Sequence, residues 1–164
     1  MVPRRATVLL LLFAVACGGD PPALLASKDG RFRVVHQGEG RWIEAEGRQQ
    51  MEAALARCPT IDLVYGHNDP MAHGAALASK SQQRSGIRFV GVDALPHEGR
   101  RYVQDGLLDV SVEYPTCAAA ALDLALLACR GVELPREIVV GTRVFTKDAP
   151  DGRPIASPGD VVLE

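Results

Sequence analysis

The sequence predicts an α/β fold, a doubly wound and mainly parallel sheet flanked by helices. Three observations carry that prediction. Short apolar runs recur at Phe32 to His36, Ile61 to Tyr65, Ile87 to Val92, Leu108 to Tyr114 and Ile138 to Phe145. The stretches between them have helical spacing or helix-favouring composition. Two of the runs end in polar residues, Gly66-His67-Asn68-Asp69-Pro70 and Gly91-Val92-Asp93, as strands do where they open into the crevice at the carboxyl edge of an α/β sheet.

The chain opens with a processing signal over residues 1–16. Arg4 and Arg5 form a positive start, Ala6 to Ala16 is apolar, and small residues precede Cys17. That run is too short for a stable membrane-spanning helix. Residues 17–30, with Gly18-Gly19-Asp20-Pro21-Pro22, read as a flexible tether. The expected lobe covers residues 31–146.

Within it, Phe32 to His36 reads as a strand and Trp42 to Arg57 as a helix, with Ile43, Gly47, Met51, Ala54 and Leu55 on one face. Ile61 to Tyr65 is the next strand. Asp69 is the expected N-cap and Pro70 the first helical residue of a helix ending near Lys80. Ile87 to Val92 is a strand, and Pro96 to Asp105 a short helix closed by Gly106 in the left-handed region. Leu108 to Tyr114 alternates as a strand, Thr116 to Arg130 is an alanine- and leucine-rich helix stopped by Gly131, and Ile138 to Phe145 is a strand interrupted near Gly141. Residues 147–164, rich in proline, glycine and charge, predict a poorly packed tail.

Composition narrows the function. A chain of 164 residues with 47% hydrophobic and 5% aromatic content supports one modest core, and a net charge of −2 with no basic run argues against nucleic acid. The Gly-x-Ser-x-Gly elbow, the phosphate-binding glycine loop and the His-Glu-x-x-His pair are all absent from the sequence, so no enzyme is expected. His36, His67 and His97 flank the carboxyl edge, but scattered loop histidines do not predict a metal site, and no cofactor is expected. Cys117 and Cys129 fall in one predicted helix, about 18 Å apart at ~1.5 Å per residue, too far to bridge. Cys58 precedes a strand and could approach Cys129 or neither; the favoured expectation for Cys58, Cys117 and Cys129 is buried free thiols.

Trp42 at the start of a helix, Gly66-His67-Asn68-Asp69-Pro70-Met71-Ala72, Gly91-Val92-Asp93, Asp105-Gly106-Leu107-Leu108, Glu113-Tyr114-Pro115 and Thr142-Arg143-Val144-Phe145 occur in that order. The set resembles the C-terminal lobe of periplasmic sugar-binding proteins of the ribose/galactose type. Val15-Ala16-Cys17 likewise resembles a bacterial lipoprotein signal, which implies lipidation of Cys17 and an exported, membrane-anchored protein. The first resemblance implies that Asn68 and Asp93 bind sugar hydroxyls and that Glu113 is a further polar ligand. It also implies an ABC permease or sensor as partner.

Sugar chemistry agrees with those residue types. Hydroxyls need groups that donate and accept, and apolar sugar faces need an aromatic plate, for which Trp42 is the candidate. Each position has a plainer alternative: Asn68 as a turn or capping amide, Asp93 as a helix cap, Trp42 as a core anchor, Glu113 facing solvent. The family has two lobes, and this sequence resembles most of one, lacking its opening strand-helix unit. Two functions are expected as alternatives: a truncated substrate-binding lipoprotein, or a degenerate lobe acting as a protein-interaction module.

Overall fold

Three strand-helix-strand units step across the sheet in one direction, and that single fact sets the architecture. The computed structural model describes residues 6–10, 32–58 and 60–155. Its strands are β1 (Ala6–Leu10), β2 (Phe32–Val34), β3 (Leu63–Tyr65), β4 (Arg88–Asp93), β5 (Val110–Glu113), β6 (Thr142–Thr146) and β7 (Ala149–Ile155). Its helices are α1 (Glu44–Arg57), α2 (Asp69–Ser81), α3 (Gly99–Gln104) and α4 (Ala118–Cys129). The described strands form one open sheet in the order β2-β1-β3-β4-β5-β6-β7, parallel from β2 to β5 and antiparallel beyond.

From β2 through α1 to β3, α2 to β4 and α3 to β5, each step moves the same way. Right-handed crossovers then place the three helices on one face of the sheet. Burial agrees: Val64, Phe89, Gly91, Ser111 and Phe145 point into the buried side, and Met51, Ala54, Ala72, Ala75 and Val103 join Val64 and Phe89 in the core. The alternate residues Leu63, Tyr65, Val90, Val92, Val110, Val112 and Val144 stay half-exposed on the other face.

Contact between α1 and α2 depends on glycine. A Cβ at Gly47 would lie 2.7 Å from Met71 Cα, and one at Gly74 would lie 2.9 Å from Arg48 N. The helices therefore approach backbone to backbone, with Ala72, Ala75, Ala76 and Ala78 filling the remaining space.

Several expectations are corrected. The N-cap of α2 is Asn68, not Asp69: Asn68 has extended backbone and its side chain accepts from Met71 N–H, which puts Asp69 first in the helix and Pro70 second. Residues 149–155 are not loose tail but β7, paired with β6 across a two-residue turn at Lys147 and Asp148. Cys117 and Cys129 are exposed, because no residue of α4 is buried, and Cys58, at the end of α1, is half-buried. Finally, against the expected loss of the lobe's opening strand, Ala6–Leu10, the centre of the expected export signal, forms a parallel strand between β2 and β3. Cys17, the rest of residues 1–16 and the tether at 17–30 lie outside the described residues.

Candidate functional site

Strand order reverses at β1. Its sequence neighbour β2 lies on one side and β3 on the other, so the crevice beyond the carboxyl ends of β1 and β3 is a topological switch point, the usual place for a ligand in an open α/β sheet. Tyr65-Gly66-His67-Asn68 leads out of β3 into that crevice.

Gly66 makes the turn possible. Its N–H donates to Val90 O at 2.8 Å, and a Cβ would come 2.8 Å from Ala72 N. Asn68 then works in two directions: Oδ1 accepts Met71 N–H at 3.0 Å, and Nδ2 donates to Trp42 O at 3.0 Å. The second bond ties the loop before α1 to the β3–α2 turn. Arg41 and Trp42 both have positive φ, 44° and 64°, a strained pair for non-glycine residues that this tether and the Ile43 N–H to Gly40 O bond hold in place. The Trp42 side chain is 55% exposed and its ring centroid lies 6.3 Å from that of His67, which in turn sits 5.3 Å from Tyr65. Trp42, His67 and Tyr65 thus form a run of neighbouring rings beside the β3–α2 turn.

One strand further along, Asp93 at the end of β4 is in register with Glu113 at the end of β5. Arg100 stands over the pair. Its Nη2 meets Glu113 Oε1 at 3.2 Å, its Nε donates to Ala94 O at 2.8 Å, and its guanidinium lies 4.2 Å from the centre of the Phe145 ring. Asp93 and Ala94 have φ of 110° and 51°, and Ala94 N–H donates to Asp69 Oδ2 at 2.7 Å. Asp93 is pushed above the usual carboxylate range, first by burial and then by the neighbouring charge of Glu98.

Asp69 is fully buried beneath this turn. Its Oδ1 accepts the Ser111 hydroxyl at 2.7 Å, while Gly91 and Gly99 leave room that any Cβ would fill. Burial raises its carboxyl to about 6, against the lowering effect of the Ser111 and Ala94 bonds, with Asp93 and Glu98 adding smaller upward pushes. Sequence reasoning assigned neither Asp69 nor Arg100 to the site. For Asp69 the available signal was Gly91 and Gly99, whose missing side chains make its space.

The four candidate ligand residues therefore meet at one edge in two pairs, Trp42 with Asn68 through a hydrogen bond and Asp93 with Glu113 through strand register. Asn68 serves the capping role, keeping one N–H and one lone pair of Oδ1 for other partners. His73 is structural, stacked on Tyr102 at 4.1 Å with Nδ1 2.7 Å from Glu44 Oε2. His36 faces Gln50 at 3.4 Å, and burial holds it below its ordinary value. Among the described residues, no three His, Cys, Asp or Glu side chains cluster in a way that would hold a metal ion.

Residues 23–133 match the family model for the periplasmic binding protein domain. The chain belongs to that family. It is a family of extracytoplasmic, non-catalytic binding proteins. Among curated relatives, the D-apiose import binding protein of Actinobacillus succinogenes is 37% identical over 77 residues, 47% of this chain and 23% of that protein. The ribose import binding protein of Salmonella typhimurium is 26% identical over 118 residues, 71% of this chain and 36% of that protein.

Among solved structures, the fructose-binding periplasmic domain of a hybrid two-component system superposes with a TM-score of 0.72 at 26% identity, over 90% of this chain and 52% of that one. A Mycobacterium smegmatis protein in complex with β-D-fucofuranose gives 0.70 at 25% identity, over 91% and 52%. The chain thus spans about a third or less of these two curated relatives and about half of these solved structures.

Proposed function

We propose that this chain is a substrate-binding lipoprotein that presents a sugar-like small solute to an ABC transporter or sensor. One observation carries the reading: Trp42, Asn68, Asp93 and Glu113 stand along a single carboxyl edge next to the topological switch point. The exposed indole offers a plate for the apolar face of a sugar ring, and the Asp93–Glu113 pair offers charge-assisted acceptors for its hydroxyls. Arg100 holds Glu113 in place through the contact of its Nη2 with Oε1 at 3.2 Å. The family's import-binding relatives for D-apiose and ribose support a sugar as the solute class.

An edge that covers a ligand from one side excludes little water, so affinity is weak, about millimolar on the free-energy scale. Trp42 fluorescence, read against pentoses and hexoses to about 50 mM, tests the reading. Saturable change that weakens in Asp93→Ala and Glu113→Ala is expected. A folded protein that stays silent across the whole screen would overturn the receptor reading. The anchor is tested apart from the site: Cys17→Ser should move the protein from the membrane fraction to the soluble one, since the lipid at Cys17 is the proposed attachment.

The second reading, an interaction module without solute binding, is favoured by α4, which carries Leu122, Leu126 and Leu127 exposed. Retention of a soluble partner by the parent but not by a Leu122→Glu, Leu126→Glu variant, with no sugar response, would select it.

A further inference from the structure

We propose that Ala6–Leu10 is a working strand of the lobe in the unprocessed chain, so that folding of the lobe and cleavage before Cys17 compete for the same residues. The competition rests on the export reading above. The strand role rests on backbone pairing alone.

The pairing is staggered. Ala6, Thr7 and Val8 are in register with Phe32, Arg33 and Val34 of β2, while Val8, Leu9 and Leu10 are in register with Leu63, Val64 and Tyr65 of β3. Val8 is the residue that faces both neighbours. Among the described strands β2 pairs with nothing else, so its place in the sheet depends on β1. Adjacent strands lie about 4.8 Å apart, which sets β2 and β3 roughly 10 Å from each other across β1, well beyond hydrogen-bonding reach. Loss of residues 1–16 therefore leaves two parallel edges facing each other over a slot one strand wide.

The same stretch satisfies two incompatible demands. Ala-Thr-Val-Leu-Leu is apolar enough to be the centre of an export signal, and its Thr7 and Val8 suit a strand between two others. An export pathway takes such a segment while it is unpaired. Once the lobe has folded, the segment is extended and hydrogen-bonded on both sides, with Leu10 seven positions before Cys17. A chain that folds first keeps its leader, and a chain that is processed first must hold its lobe without β1.

Hydrogen exchange on the full-length protein, read on peptides covering residues 6–10 and 32–34, decides the strand role. Exchange at residues 8–10 is expected to be at least about 100-fold slower than in an unstructured peptide. Val8→Pro, which removes the amide at the doubly paired position, should abolish that protection, and Val8→Ile should preserve it. Coil-like exchange at residues 6–10 of the parent, with β4 protected to show that the protein is folded, would overturn the strand role even if Val8→Pro fails to fold.

Pulse-labelling in cells then reads the processed fraction, expected to rise at least about twofold in Val8→Pro and in Arg33→Pro, the second of which leaves the leader unaltered. Equal processing in parent and both variants overturns the competition. If neither cleavage nor lipid is found at Cys17 in any of them, the export reading and the competition both fall, while protection at residues 8–10 still establishes the strand.

Discussion

Asp69→Asn separates the charge of the buried carboxyl from its shape. In the folded protein the Asp69 carboxyl is raised from 3.8 to about 6, chiefly by burial. A difference of that size corresponds to about 3 kcal/mol between the protonated and ionised forms. Because the folded state holds this proton more tightly than the unfolded chain does, the contribution to stability is present below pH 3.8 and is lost as pH rises through about 6. Asparagine fits the same space without charge. Its carbonyl can accept Ala94 N–H, and its amide can donate to Ser111 Oγ, a hydroxyl able to accept as well as donate.

Urea unfolding of parent and variant at matched pH, from about 3.5 to 7.5, gives the difference in stability, in which groups untouched by the substitution cancel. The variant should gain on the parent by up to about 3 kcal/mol across that range. The repulsion from Asp93 is already part of the Asp69 shift. A difference that stays flat within about 0.5 kcal/mol, the spread of independent measurements, would refute the reasoning. One that moves the other way would mean that the bonds from Ser111 and Ala94 outweigh burial.

Gly47→Ala should destabilise the protein by about 1–3 kcal/mol in the same unfolding assay, because the new methyl meets the Met71 backbone, which cannot swing aside as a side chain would. Asn68→Ala should cost about 1–2 kcal/mol through the lost cap, and exchange should quicken at residues 40–43 as the Trp42 carbonyl loses its tether. Arg100→Met, which keeps apolar bulk over Phe145 but leaves Glu113 and the Ala94 carbonyl without their donor, should cost about 1–3 kcal/mol and weaken any sugar response of Trp42.

Helix α2 and strand β4 were legible because the apolar run, Asn68-Asp69-Pro70 and the polar stretch after Lys80 all point to the same boundaries. The one-residue error at the cap arose because Asn and Asp cap almost equally well, and only the side-chain bond to Met71 N–H distinguishes them. Gly106 and Gly131 take the left-handed conformation that helix ends predict. Pairing is a different matter. Nothing in the order of residues tells that Asp93 faces Glu113, or that Trp42 and Asn68 meet across 26 positions, since register and loop docking are long-range outcomes.

Strand β1 was hidden because a short apolar run satisfies a signal segment and an inner strand alike. In β7, Pro150, Gly152 and Pro154 read as breakers, yet an outer strand tolerates prolines on its unpaired side, and β7 pairs only with β6. Helix α4 misled in the opposite sense: a segment apolar on every side predicts burial, and it is exposed throughout most of its length.

The prolines of β7 have a consequence for how copies of this chain meet. Ribbon growth requires a long, regular edge that can accept another strand, and the β7 edge offers two residues without amide hydrogens and a kink at Gly152. The opposite edge, β2, is only three residues long. Contact between copies is therefore directed away from the ends of the sheet and toward its broad half-exposed side and α4, where Leu122 and Leu126 are exposed. Face contacts related by a twofold axis close at a dimer, whereas edge pairing repeats without closure and runs on into fibres.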